Sequence, residues 1–346
     1  MAALTTPEEF RRISQMLANL TVLIPIALMT ASRIDEIQTR SASEPTLASL
    51  NNELRKKLKA VQGPQDHTPM AQAYEAYAEA SFWLEMADRG VRLDRTPGTG
   101  QLKQKRPDFV HVHPAGNVYF EVKALEIADP TTRRNQIACD ALDSAADLDA
   151  RAREPGVHFG NPVEISGPLP GASLAERLDA TIEKITNNVK RDQIHYGPTV
   201  LVVDLGRFNT IPYGPSSLLP IFFHDCPPAE SCVSGELWQI GFGKIGEQLF
   251  SLPEFDGKSN LAGHQTRNGV FGECPGLMAI TFVHPRWNQK SELFTLWNVG
   301  FDKNVLINAC SLSESDIDDL LYNFSDGVND SSNERGWRFR VIPLRP

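Results

Sequence analysis

The chain has 346 residues, 41% of them hydrophobic, with 43 Asp and Glu against 34 Lys and Arg, for a net charge of −9. This is the composition of an ordinary globular protein, long enough for one large or two small domains. The acid excess speaks against tight, non-specific DNA binding over the whole surface, but leaves open a cleft in which cations cluster. Five scattered cysteines argue against a disulfide framework and for a reducing, cytoplasmic setting. No Walker lysine loop, Gly-rich dinucleotide fingerprint or Gly-x-Ser-x-Gly elbow is present.

In chain order, residues 1–66 read as helical. The apolar run 16–31 contains Asn19 and Pro25 and is short for a membrane span. A buried helix pair is expected there. Arg11 and Arg12 ahead of the run leave a signal or anchor as the other reading. Residues 46–61 carry Leu47, Leu50, Leu54 and Leu58 near helical spacing, and Gly63-Pro64-Gln65-Asp66 breaks the chain. Residues 74–89 predict a helix stopped by Gly90, and 91–94 a short strand.

Arg106-Pro107-Asp108-Phe109 opens a strand, Pro114-Ala115-Gly116-Asn117 is a turn signal, and Val118-Tyr119-Phe120-Glu121-Val122-Lys123 is a second strand. Side chains alternate, so Val118, Phe120 and Val122 form an apolar face for the core. Glu121 and Lys123 then point the same way, about 7 Å apart. An antiparallel hairpin brings Asp108 near one of them. His111 and His113 lie with Phe109 on that strand's face opposite Val110 and Val112, where cross-strand packing is the leading reading and an approach to metal or substrate the other.

Residues 129–153 allow an extra helix, and 154–171 is a Pro- and Gly-rich loop. Residues 174–194 predict an amphipathic helix with Leu178, Ile182, Ile185 and Val189 on one stripe, and 199–205 a buried strand. His224, Cys226 and Cys232 lack a fourth partner at zinc spacing. Further on, 237–242, 276–283, 292–297 and 337–343 read as strands. Residues 313–322 read as a helix capped by its serine. His284 and Arg286 fall near a strand end, where a structural histidine is the expectation.

Two carboxylates converging on a hairpin repel each other, and a hard divalent cation relieves that repulsion. Mg²⁺ takes oxygen ligands and is held by one or two carboxylates plus substrate phosphate. A neighbouring lysine can stabilise the charge that develops on a phosphoryl group. Arg89, Arg92, Arg95, Lys103, Lys105, Arg106, Arg133 and Arg134 flank this stretch. They are either a substrate-facing cluster or an ordinary solvated surface.

The combination of Pro107-Asp108 with Glu121-Val122-Lys123 resembles the PD-(D/E)xK nuclease superfamily, over about residues 68–207. The resemblance implies a restriction-endonuclease-like α/β fold, a mixed central sheet flanked by helices, whose core runs helix, strand, hairpin, helix, strand. It also implies a helical acid, which falls on Glu79, with Glu75 one turn earlier as the second choice. Gln193 stands where some members carry a functional Gln, Lys or Arg, and Lys184, Lys190 and Arg191 add positive charge there. The implied catalytic set is Asp108, Glu121, Lys123 and Glu79. The implied metal set is Asp108, Glu121, Glu79 and the Val122 carbonyl, with Mg²⁺ as cofactor and Mn²⁺ as a substitute. Nearly fifty residues between positions 126 and 174 exceed what such a core needs.

The expected organisation is an N-terminal helical region (1–66), a nuclease-like core (67–207) and a C-terminal α+β extension (208–346), the last either separate or continuous with the core sheet. The expected function is metal-dependent hydrolysis of phosphodiesters, foremost in DNA. The alternative is a catalytically silent binding or scaffold module on the same fold. A protein partner or homo-oligomer is expected to restrain the chain or bring it to its substrate, and no membrane partner is expected.

Overall fold

The computed structural model describes residues 8–17, 29–62, 66–97, 106–125, 148, 151, 173–189, 194, 196–206, 221–223, 232–234, 236–250, 261–284, 290–299, 301, 311–330 and 338–339. The chain forms two compact units: Met1–Tyr77 with Glu126–Pro170 and Arg207–Ser217, and Ala78–Leu125 with Gly171–Gly206 and Leu218–Pro346. Among the described residues no helix is long and apolar enough to cross a membrane.

The described elements of the first unit are helices. They are α1 (Glu8–Leu17), α2 (Ala31–Arg40), α3 (Pro45–Ala60) and the start of α4 (His67–Asp88). Pro45 at the first turn of α3 gives up no hydrogen bond. Leu47, Leu50, Leu54 and Leu58 are all buried, which is the stripe their spacing predicts. The Thr30 side chain caps α2 by accepting the Arg33 N–H at 3.3 Å. Residues 18–28, most of the apolar run at 16–31, lie outside the described residues.

α4 is longer than the predicted 74–89. Pro69 sits in its first turn, where a missing N–H costs nothing, so the helix reaches back to His67. It ends as expected at Gly90, whose φ of +79° is the left-handed value a helix stop needs. The N–H of Gly90 donates to Ala87 O and that of Val91 to Met86 O, a Schellman closure. This closure displaces the next strand. Val91 is spent on the helix end and the Leu93 carbonyl accepts the Trp83 indole N–H at 2.8 Å. β1 therefore forms at Asp94–Arg95 rather than over 91–94.

The second unit is built on one mixed sheet, flanked by helices on both faces. β2 (Phe109–His113) and β3 (Gly116–Ala124) form an antiparallel hairpin with β1 outside β2. α5 (Leu174–Asn188) then crosses to β4 (Thr199–Asp204), which lies parallel to β3 and is buried throughout. Ser173 and Glu176 close a capping box at the start of α5. The helix stops at Asn188, short of the predicted 194. Thr186 and Asn188 turn their side chains back onto backbone carbonyls of Ile182 and Lys184, and Val189 goes extended.

Farther along come β5 (Ile221–Phe223) paired with β6 (Cys232–Ser234), then α6 (Glu236–Phe242), then β7 (Gln248–Phe250) paired with β8 (Leu261–His264), then α7 (Val270–Glu273). β9 (Ala279–His284) joins β4 in parallel, β10 (Glu292–Trp297) joins β9 antiparallel, α8 (Glu314–Phe324) follows, and β11 (Gly327–Asp330) and β12 (Arg338–Phe339) complete the sheet. Its order is β1-β2-β3-β4-β9-β10-β11-β12, so the C-terminal strands extend the sheet that carries the hairpin.

Residues 237–242, predicted as a strand, are helical. Leu237, Trp238, Ile240 and Gly241 are buried, a set spaced by three and four as a helix face requires. Gly241 has a steric reason, since a β-carbon there would lie 2.4 Å from Leu296 Cδ1 on β10. On the other face, the Phe120 ring lies 6.0 Å from Phe82 of α4 and 5.9 Å from Phe324 of α8. Those three rings are fully or almost fully buried and pin both helices to β3.

Candidate active site

The hairpin register places the acids. Phe109 pairs with Phe120 and Val110 with Tyr119, so Asp108 stands opposite the Glu121 end of β3, just as β2 begins. No β2 carbonyl is aligned there for the Val122 N–H. The Oδ2 of Asp108 accepts it instead, at 2.8 Å. A carboxylate thus completes the ladder where the two strands part.

Glu121 lies on the next position of β3, 3% exposed. Its Oε1 accepts directly from Lys123 Nζ. β3 is buried on both faces rather than on the apolar one alone: Tyr119 is buried too, its ring edge-on to Tyr196 at 5.0 Å. Glu79 enters from α4. It is half-buried, and Arg95 Nη1 donates to its Oε2 at 3.1 Å. The Arg95 guanidinium lies over the Phe109 ring, 5.2 Å from its centre, so one arginine ties the helical acid to the hairpin.

The electrostatics bring the four groups together. Burial, then the neighbouring charges of Glu121 and Glu79, push the Asp108 carboxyl well above its ordinary range; Lys123 and the Val122 N–H pull the other way and lose. For Lys123, burial pulls its ammonium down, but Glu121, Asp108 and Glu79 together raise it. Three acids and one lysine therefore share one field, and the acids outnumber the cation.

Of the residues singled out in the sequence, Lys123 meets Glu121 directly, Asp108 takes the Val122 N–H, and Glu79, bonded to Arg95, acts on Asp108 and Lys123 through its charge. Val122 enters through its backbone. Glu75 is exposed on α4 and falls in the first unit, and Gln193 lies outside the described residues. So do Lys190, Arg191, Lys103, Lys105, Arg133, Arg134, His224 and Cys226. The flanking cations form less of a cluster than the sequence suggests. Arg89 binds both Asp326 oxygens at 2.9 Å and Arg95 binds Glu79, while Arg92 is exposed and lies 3.7 Å from Asp94. His111 Nδ1 meets the Arg92 carbonyl at 2.9 Å and His113 Nδ1 accepts the Ala115 N–H at 3.2 Å, both local contacts. In the sequence Arg95 stands only as one cation among eight, and Thr96 after it carries no signal. Their place opposite Asp108 and Phe109 depends on the shifted start of β1.

No protein-family model, no curated protein and no solved structure matches this chain.

Proposed function

We propose that this protein is a metal-dependent nuclease of the PD-(D/E)xK, restriction-endonuclease-like class, a hydrolase that cuts phosphodiester bonds of DNA in a cytoplasmic setting. The observation that carries this reading is the convergence of Asp108, Glu121, Glu79 and Lys123 where β2 parts from β3. The helix–strand–hairpin–helix–strand order from α4 to β4 supports it.

The donor set fits a hard cation. Asp108 is driven towards its neutral form by burial and by Glu121 and Glu79, which is the condition a bound divalent ion relieves. Among the described residues no three His, Cys, Asp or Glu side chains are arranged to grip one ion. A sparse grip of two carboxylates and a carbonyl is what Mg²⁺ accepts, since it keeps much of its water. Asp108, Glu121 and the Val122 carbonyl would hold Mg²⁺ or Mn²⁺, with Glu79 acting through water or on a second ion. Bound there, the metal supplies Lewis-acid polarisation of a phosphoryl oxygen and a more acidic water.

The chain's own residues do the rest. Asp108 fixes its carboxylate on the Val122 N–H, so a ligand oxygen is set by the ladder and not by a mobile side chain. Lys123 leaves Glu121 to face the phosphoryl oxygens as negative charge builds on them. Arg95 holds Glu79 at the rim.

Net charge −9 and the Lys123–Glu121 ion pair favour a second reading, a catalytically silent module that binds a partner. Purified protein incubated with plasmid and single-stranded DNA, in Mg²⁺, Mn²⁺ or EDTA and beside Lys123→Ala, separates the two. The nuclease reading expects metal-dependent cutting lost in the variant. Absence of cutting under every metal overturns it in favour of the binding module.

A further inference from the structure

The Thr96 N–H donates to the Asp108 carbonyl at 3.3 Å. This carries the β1–β2 pairing one residue beyond Arg95 and Phe109. Opposed residues of an antiparallel pair hold their side chains on one face, with β-carbons about 5 Å apart. Thr96 therefore stands beside Asp108, on the same face of the β1–β2 pair. The residue is only 3% exposed. Its Oγ1 is shut off from solvent and has no hydrogen-bond partner among the described residues. An unmade buried hydroxyl is unfavourable, and valine would fill the same space without that cost. Such an orphan calls for a water or ion as its partner.

We propose that the Thr96 hydroxyl is a positioning group of the cation site, holding a water of the ion's hydration shell beside Asp108. The inference rests on the metal-dependent reading above. Mg²⁺ and Mn²⁺ gripped by few carboxylates keep several waters, and those waters need protein partners. Ionised Asp108 and Glu121 offer only acceptors. Thr96 Oγ1 adds a hydroxyl that accepts a hydrogen of such a water. Its place on a paired strand fixes that group without a flexible linker.

The test compares wild type, Thr96→Val and Thr96→Ser by calorimetric titration with Mn²⁺ alone and by melting without metal. Thr96→Val is expected to melt about 1–3 °C higher than wild type when metal-free, because an orphaned hydroxyl is gone. It is expected to bind Mn²⁺ about 10- to 100-fold more weakly, as loss of a group that orders ligands does. Thr96→Ser, which keeps the hydroxyl, should bind Mn²⁺ as wild type does. Unchanged Mn²⁺ affinity in Thr96→Val, or a lower metal-free melting temperature, overturns the assignment while leaving the metal site standing. A wild-type protein that takes up no Mn²⁺ overturns both.

Discussion

Asp108 accepts the Val122 N–H through one carboxylate oxygen, so a single side chain both completes the β2–β3 ladder and faces Glu121. The two tasks separate by substitution. Asparagine keeps a carbonyl oxygen for the Val122 N–H and removes the charge. Asp108→Asn is therefore expected to fold and, without metal at neutral pH, to melt above wild type, because its side chain no longer repels Glu121 and Glu79. Cleavage of plasmid in Mg²⁺ should fall by at least about 10²–10³-fold. Asp108→Ala loses the ladder bond as well and should melt below Asp108→Asn. Equal melting of the two variants would show that the ladder bond contributes nothing.

The raised Asp108 carboxyl makes metal-free stability depend on pH. Below its ordinary value of 3.8, the group is protonated whether folded or unfolded and costs nothing. As pH rises, the unfolded chain releases this proton first, so the folded state loses stability until the raised value is passed. Melting in EDTA should thus show an Asp108-dependent fall as pH rises above 3.8, absent in Asp108→Asn. Added Mn²⁺ should reverse it, by about 2.7 kcal/mol at a hundred times the dissociation constant. Identical pH profiles for wild type and Asp108→Asn would dispose of the argument.

Arg89 grips Asp326 with two 2.9 Å bonds and the Ser291 carbonyl at 3.0 Å, while Asp326 also accepts the Leu293 N–H at 2.8 Å. Glu85, 1% exposed, accepts the Ser291 N–H at 3.2 Å. One arginine thereby joins the helix that carries Glu79 to the β10–β11 region. Removing it strands partly buried acids, so Arg89→Ala should destabilise by about 3–5 kcal/mol in urea unfolding. A loss under 1 kcal/mol would place the pair with ordinary surface ion pairs.

The parts of this fold that the sequence disclosed are those set by local pattern. Alternation in 118–123 gave the buried β3, the leucine spacing gave α3, Gly90 gave the end of α4, and Ser313 gave the start of α8. The hairpin itself was legible, with Asp108 near Glu121 or Lys123, but the choice between them waited on the register, which the two-residue turn between His113 and Gly116 sets. What could not be read were outcomes of competition. Residues 237–242 are apolar enough for a strand, and it is the tertiary burial of Leu237, Trp238, Ile240 and Gly241 on one helix face that the local pattern does not show. The start of β1 depended on whether Val91 served α4 or the sheet. That choice moved Arg95 opposite Phe109 and Thr96 opposite Asp108, and so hid both from sequence reasoning. The flanking arginines read as a patch, yet Arg89 and Arg95 turn inward, because a guanidinium beside a partly buried carboxylate has a better partner than solvent.

Lys123 offers a way to uncouple metal binding from cleavage. In the metal-free protein its ammonium sits on Glu121 and competes with any cation for that carboxylate. Lys123→Met keeps the length and apolar stem and removes the charge. A divalent ion should then bind Glu121 and Asp108 at least as tightly as in wild type, and about tenfold more tightly where the competition is direct. Cleavage should nonetheless fall by about 10²–10³-fold, because no cation remains to meet the charge that builds on the phosphoryl oxygens. Mn²⁺ titration followed by electron paramagnetic resonance, beside single-turnover plasmid cleavage, reads both quantities on one preparation. If Lys123→Met lost Mn²⁺ affinity and activity in step, the lysine would be acting through the site's architecture. If it kept full activity, Lys123 would have no part in the chemistry, and the ion pair with Glu121 would be structural.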